Sequence, residues 1–522
     1  MKIYFKLFLL SALTLLFAAC SHSDDENLIS SQKSIVILYE NDVHCNIQGY
    51  QKLAGLRDAI ANSDTAYAGI VSCGDYLNGG VVGAASKGQY IVDIMRNMCY
   101  DAITIGNHEF DFGLQRMKEL LKNVNAPVVC ANLFDYGETT PFFAPYVIKR
   151  YGKKKVAFIG VCTPETELSE GYAVFDKEGN KLCDFRSNEV YQIVQQAVDK
   201  ARGEGADYVV VLSHLGEQQL EGLAYSHGLV AATSGIDVVL DGHSHATIAH
   251  EYVKNKEGKM IIVSQSGTKF ENVGKLVITK DGILTTELVP MNDINYANQF
   301  VANTTDSINS LLEEMNARII ATSEFDLQIN GPDGKRQVRN QETNLGDLIT
   351  DAYRNVLKAD IGIQNGGGIR SFIKAGDISY GNVFDVLSFS NVICKIQATG
   401  EQIWNMLEKS TAAAPGEDGN FPQVSGMRFT VHTASHTVSD VLVIDAEIGA
   451  YRPLENQKTY TIALNDYYSG GGYYNMLKDC KLLENNGYLD RDVVADYLQN
   501  TLGGVVGNEY AKPQGRIILV DD

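Results

Sequence analysis

The chain has 522 residues, 45% of them hydrophobic and 21% charged, and a formal net charge of −20. That length and balance support two or more domains, each with its own core, and exclude global disorder. The acidic excess argues against a nucleic-acid polymer or an anionic membrane surface recognised by bulk charge, so an anionic substrate needs local cations to overcome the field.

In chain order, Lys2 and Lys6 precede an apolar stretch over residues 7–19, which is followed by Cys20. The stretch is too short to span a bilayer as a stable helix and reads as a signal peptide over residues 1–20. Phe17-Ala18-Ala19-Cys20 resembles a bacterial lipoprotein processing site, with Phe17 where leucine is usual. The expectation is that Cys20 is lipidated and anchors the protein to a membrane of the cell envelope, facing the periplasm or the cell surface; the alternative is an ordinary cleaved signal. Residues 21–33 read as a polar tether. The remaining cysteines, Cys45, Cys73, Cys99, Cys130, Cys162, Cys183, Cys394 and Cys480, form no C-x-x-C pair, which argues against a zinc–thiolate cluster.

Over residues 34–293, short β-branched runs alternate with helix-like stretches. Examples are Ile35-Val36-Ile37-Leu38, Val156-Ala157-Phe158-Ile159 and Val209-Val210-Val211-Leu212. Continuous apolar runs of this length predict strands buried on both faces of an α/β sandwich. Residues 306–320 read as an interdomain helix within a linker over 294–321, or equally as the first helix of a second domain. A second α/β pattern occupies 322–522. It contains an N-capped helix over 344–358, a short strand over 360–364 and the turn Asn365-Gly366-Gly367-Gly368-Ile369-Arg370. The loop over 412–420 reads as a flexible connection.

In open α/β sheets, ligands gather where strands end at their carboxyl edges. Five such ends carry polar residues here: Asn41-Asp42-Val43-His44, Gly74-Asp75, Asn107-His108, Ser213-His214 and Asp241-Gly242-His243-Ser244-His245. One histidine alone reads as a core or surface residue, but five polar motifs after five strands point to a shared site. Imidazole and carboxylate suit divalent ions, and a pair of ions needs a bridging ligand. Asp75 is the candidate bridge. Asp42, His44 and His245 would complete one shell, and Asn107, His214 and His243 the other.

These motifs resemble the binuclear metallophosphoesterase superfamily, specifically the 5′-nucleotidase and UDP-sugar hydrolase family, over nearly all of the mature chain. The resemblance implies a four-layer αββα sandwich, a helical linker and a C-terminal α/β substrate-binding domain. It also implies the ligand assignment above, two divalent ions such as Zn, Mn, Co or Fe, a metal-bound hydroxide as nucleophile, and a catalytic pair at His108 and Asp111. The chemistry agrees, because His108 could stabilise charge on the phosphoryl or leaving oxygen while Asp111 orients the imidazole. Glu109 reads as structural.

The same resemblance places Arg339, Asn365 and Arg370 at substrate-binding positions, with Gly367 in the close-approaching glycine turn and Lys335 or Arg336 as a further cation. Arginine suits phosphate because its planar fork donates paired bonds. Members of the family sandwich the base between two aromatic rings. Phe389 fits the first, with Asn391 as its polar neighbour. The family's Asn-Phe-x-x-x-Gly-Gly-Asp pattern stands here as Asn465-Asp466-Tyr467-Tyr468-Ser469-Gly470-Gly471-Gly472. Asp466 replaces the second ring and Gly472 the ribose-binding aspartate, so Tyr467 or Tyr468 would take over stacking.

The resulting expectation is an extracytoplasmic 5′-nucleotidase that closes its two domains about the linker during turnover. The alternatives are hydrolysis of 2′,3′-cyclic nucleotides or UDP-sugars at the same site, or a surface nucleotide-binding protein with weak or no catalysis.

Overall fold

The computed structural model describes residues 33–176, 179–219, 222–331, 333–389, 391–446, 448–470 and 476–522. The expectations for Cys20, the signal segment, nearly all of the tether and Gly472 fall outside them.

Ser34–Glu40 is buried from its second residue to its last, as its apolar run requires, and lies at the centre of a five-stranded sheet. Ala66–Ser72 pairs with it in parallel and Asn272–Ile278 antiparallel; Ala102–Ile103 and Leu284–Pro290 complete the sheet. A second, six-stranded sheet has Lys154–Cys162, Tyr208–His214 and Val238–Leu240 running parallel at its middle. Ile37, Tyr39 and Leu276 of the first sheet share one buried cluster with Phe158, Val210 and Leu212 of the second. Helices cover both outer faces. Tyr50, Leu53, Ile91 and Met117 lie in the cluster outside one sheet, and Val194, Val198 and Leu229 in that outside the other. The result is the four-layer αββα order, with the carboxyl ends of the parallel strands at one edge.

The helix joining the two halves is Gln299–Ala317, beginning before residue 306 because the Asn298 side chain caps it by accepting from Phe300 and Val301 N–H. Its buried Val301, Ile308 and Leu312 join the core of the first half, and Met315 packs against the cores of both. It is therefore more firmly attached than a bare connector.

In the second half, Ile361–Asn365 lies in a five-stranded sheet between Pro422–Ser425 and Thr459–Asn465. Helix Asn344–Leu357 buries Leu345, Leu348, Ile349 and Ala352 against it. Thr343 is the cap, accepting from Gly346 N–H; the Asn344 amide donates to the carbonyls of Asp326 and Tyr510. The two halves touch where Ala84 meets Val392 and Leu489 in a small buried cluster. Cys45, Cys73, Cys130, Cys162, Cys183, Cys394 and Cys480 are free thiols. No helix among the described residues is long and apolar enough to cross a membrane.

Candidate metal centre

The five strand-end motifs converge. Asp42 Oδ1 lies 3.4 Å from His245 Nε2, 3.9 Å from His214 Nε2 and 4.0 Å from His44 Nε2. Asp75 Oδ2 lies 3.1 Å from His214 Nε2 and 3.9 Å from His44 Nε2, between the two groups of proposed ligands. His44 Nε2 and His245 Nε2 face each other at 2.9 Å, and Asn107 Oδ1 lies 3.1 Å from His243 Nδ1.

The backbone explains why these motifs look as they do. Asp42, His44, Asp75, His243 and His245 all have positive φ, between 42° and 81°. Such conformations are uncommon for side-chain-bearing residues and cluster where function over-determines the chain. Gly106 is also demanded by space: a Cβ there would lie 2.2 Å from Asp75 Oδ1 and 2.5 Å from His214 Nε2. At Gly74, φ is +94° and a Cβ would meet His214 Nδ1 at 2.8 Å.

The proton inventory fits divalent cations. His44 Nδ1–H donates to the Asn78 carbonyl at 3.2 Å, and His214 Nδ1–H to the Cys73 carbonyl at 2.7 Å. Each bond leaves Nε2 turned inward. His214 Nε2 is buried with only the Asp75 carboxylate beside it, 3.1 Å away and out of hydrogen-bond geometry, and a cation between them would satisfy both. Burial pulls this imidazole down, but Asp75 and then Asp42 push it up to about 10, a consequence of the two carboxylates gathered there.

His108 stands beside this cluster. Its Nδ1 lies 2.9 Å from Asp111 Oδ2, and its ring centroid is 5.1 Å from that of His44. Asn78 Nδ2 donates to the same Asp111 oxygen at 2.5 Å. Although burial opposes it, the Asp111 and Asp75 carboxylates hold the His108 imidazole well above its ordinary range. Glu109 is fully buried and accepts from the N–H groups of Asp75, Tyr76, Leu77 and Gly106 at 2.6–3.0 Å. It ties the Asp75 loop to the Gly106 loop.

Three neighbours carried no sequence signal: Asn78, Glu165 and Glu170. Glu165 Oε2 lies 2.8 Å from His243 Nε2, and this bond holds its carboxyl below the usual range. Glu170 lies with His108 and Asp111 in one group whose ligand atoms are all within 4.8 Å of one another. Both glutamates follow the strand Lys154–Cys162, a sixth strand end at the crevice.

In the second half, Asn365, Gly367, Phe389, Asn391 and Tyr467 line a cavity of about 570 Å³ together with residues 417–420. The loop over 412–420 is thus a wall: the Gly419 carbonyl accepts from Asn365 Nδ2 and Gly367 N–H. Phe389 is 58% exposed and Tyr467 47%, a large exposure for aromatic rings. Tyr468 is not available for stacking. It lies in the core and its hydroxyl donates to the Asn420 carbonyl at 2.9 Å. The Arg370 guanidinium sits 5.3 Å from the Phe389 ring centroid. Arg339 Nε is buried without a partner, and burial plus the charges of Arg336 and Arg370 hold this guanidinium below its ordinary value. The three arginines are the local positive field that an acidic chain needs for an anion. Lys335 instead pairs with Asp333 at 3.7 Å. Asp466 Oδ1 accepts from Tyr467 N–H at 2.9 Å, and its carboxylate is close enough to Asp111 to be influenced by it.

Comparison with known proteins follows this division. A family profile described as "5′-nucleotidase, C-terminal domain" matches residues 319–479, and one described as "Bacterial capsule synthesis protein PGA_cap" matches residues 52–265. The trifunctional nucleotide phosphoesterase protein YfkN of Bacillus subtilis is 26% identical over 535 aligned residues, which cover 92% of this chain and 35% of YfkN. The chain therefore spans about a third of that relative. A snake venom 5′-nucleotidase of Gloydius brevicauda is 28% identical, covering 93% of this chain and 88% of its own. The crystal structure of a 5′-nucleotidase precursor from Thermus thermophilus superposes with a TM-score of 0.58 at 26% identity, over 94% of this chain and all of that one.

Proposed function

Because this chain belongs to the 5′-nucleotidase family, we propose that it is a metal-dependent phosphoesterase releasing phosphate from nucleoside 5′-monophosphates. The observation that carries the reading is the inward-facing set of imidazole nitrogens and carboxylates beside the His108–Asp111 pair. Asp42, His44 and His245 would hold one ion and Asn107, His214 and His243 the other, with Asp75 shared. Divalent cations bound there supply an acidified water and neutralise phosphoryl charge. Manganese, zinc, cobalt or iron would each suit this N/O donor set.

The chain's own residues do the rest. Asp111 accepts from His108 Nδ1–H, which leaves Nε2 to carry a proton toward the leaving oxygen. Asn78 holds Asp111 in place. Arg339 and Arg370 offer charge-assisted bonds to the phosphate, and Phe389 and Tyr467 flank the slot in which a base would stack. Recognition on one domain and chemistry on the other require the two to be held in register, which supports a closing motion about the Gln299–Ala317 helix.

A panel of AMP, UDP-glucose, 2′,3′-cyclic AMP and p-nitrophenyl phosphate with Mn²⁺, Zn²⁺, Co²⁺ or Mg²⁺ tests the proposal. Metal-dependent phosphate release fastest from AMP is expected, and no hydrolysis of any compound would refute it. The cyclic nucleotide or sugar nucleotide as best substrate would favour the second reading, which Asp466 motivates by standing where a stacking ring is expected. Fatty-acid labelling that disappears in Cys20→Ala would establish the proposed envelope anchor; equal labelling would remove it.

A further inference from the structure

Three histidines of the centre have their outer nitrogen occupied, and they are not held alike. His44 and His214 donate to main-chain carbonyls, whereas His243 meets a side chain, with its Nε2 2.8 Å from Glu165 Oε2. An ionised carboxylate only accepts, so in the neutral imidazole this contact places the His243 proton on Nε2 and the lone pair on Nδ1. That Nδ1 points at Asn107 Oδ1, 3.1 Å away. Two acceptors facing each other at that distance repel unless a cation lies between them. Glu165 is itself well placed: its N–H donates to Thr163 Oγ1 at 3.2 Å, and its carbonyl accepts from Leu168 and Ser169 N–H at the head of the Thr166–Ser169 turn.

We propose that Glu165 is a positioning residue that sets the tautomer and orientation of His243 and thereby the grip of the centre on the ion shared with Asn107. The inference rests on the binuclear reading above. It follows a general pattern in which a carboxylate behind a metal-bound imidazole strengthens the ligand, and its loss weakens metal binding about 10–100-fold. Because the other two histidines are backed by carbonyls, the effect should fall on one ion and spare the other.

The test is calorimetric titration of Mn²⁺ into the full, chelator-stripped chain, comparing wild type with Glu165→Ala, Glu165→Gln, His243→Ala and the Glu165→Ala/His243→Ala pair. Wild type should bind two ions. Glu165→Ala should bind one of them about 10–100-fold more weakly and the other unchanged. Glu165→Gln, which keeps an acceptor but not the charge, should fall between, and it carries the test if the alanine variant fails to fold. In the His243→Ala background the loss of Glu165 should add nothing, and thermal unfolding of the metal-free proteins should coincide. Unchanged affinities in both Glu165 variants, or an equal further loss without His243, would overturn the inference alone. A wild-type chain that binds no second ion would overturn the binuclear reading and this inference with it.

Discussion

Asp42, Asp75 and His214 are completely or almost completely buried in the crevice of the first half, while Phe389 and Tyr467 stand roughly half exposed on the second. Buried carboxylates and imidazoles are tolerated only with full sets of partners, and each here has them in N–H groups, carbonyls or the cations the site is built for. The pocket works differently. Its rings Phe389 and Tyr467 are roughly half exposed, so a substitution at either changes what is bound without threatening the fold. This contrast fits the place of one departure from the family pattern, Asp466, which precedes the pocket residue Tyr467.

If the division is right, damage should be graded accordingly. Asp75→Asn removes the shared carboxylate and should abolish phosphate release from every substrate, a loss beyond the roughly 10²–10⁴-fold expected of a single proton donor. Metal analysis should show less than the wild-type complement; near-normal turnover would break the comparison at its root. His108→Ala should lower kcat by roughly 10²–10⁴-fold with both ions still bound. Steady-state rates together with metal content decide this, and loss of metal would make His108 a ligand instead.

On the other side, Phe389→Ala or Tyr467→Ala should each weaken AMP recognition by about 1–3 kcal/mol, the usual worth of a base-stacking ring. The comparison sharpens if KM for AMP rises while p-nitrophenyl phosphate is hydrolysed as before. It fails if both substrates suffer equally.

The smallest effect concerns Asp466, whose carboxyl is raised from 3.8 to about 6, chiefly by burial, with Asp111 adding to it. The folded chain binds this proton more tightly than the unfolded one, so the group's contribution to stability falls as pH rises from about 4 to about 6. Asp466→Asn removes that loss, and urea unfolding should show the variant gaining on wild type across this window and staying ahead at pH 7. An unchanged difference between pH 4 and pH 7 would show that Asp466 is not burdened by its surroundings.

Much of the centre was legible in the sequence because metal chemistry needs particular residue types at particular places. Asp, Asn and His immediately after apolar runs are rare enough together to be read without a fold. Glu165 and Glu170 were not legible, since a glutamate after Thr163-Pro164 resembles any helix-starting acid and acquires its role only by facing His243 or His108. The pocket was half legible. Phe389 and Arg370 stood out through the family pattern, but the choice between adjacent tyrosines depended on which way one helical turn faces. That turn is fixed when Asn465 Oδ1 accepts from Tyr468 N–H, leaving Tyr468 in the core and Tyr467 outside. The loop over 412–420 looked like a connection because glycine, proline and acids mark turns; its use as a wall comes from bonds to Asn365 and Gly367.

By itself, then, the sequence determined the reaction class and supplied the proposed ligand inventory, since coordination chemistry resides in residue type. Only the tertiary structure decided which nitrogen of each histidine turns inward, which carboxylate stands behind His243 and which tyrosine opens to the slot. The physical reason is distance along the chain. His44 and His245, 201 positions apart, face each other at 2.9 Å, and Glu165 reaches His243 across 78, so lone-pair direction is set by contacts that no local pattern contains.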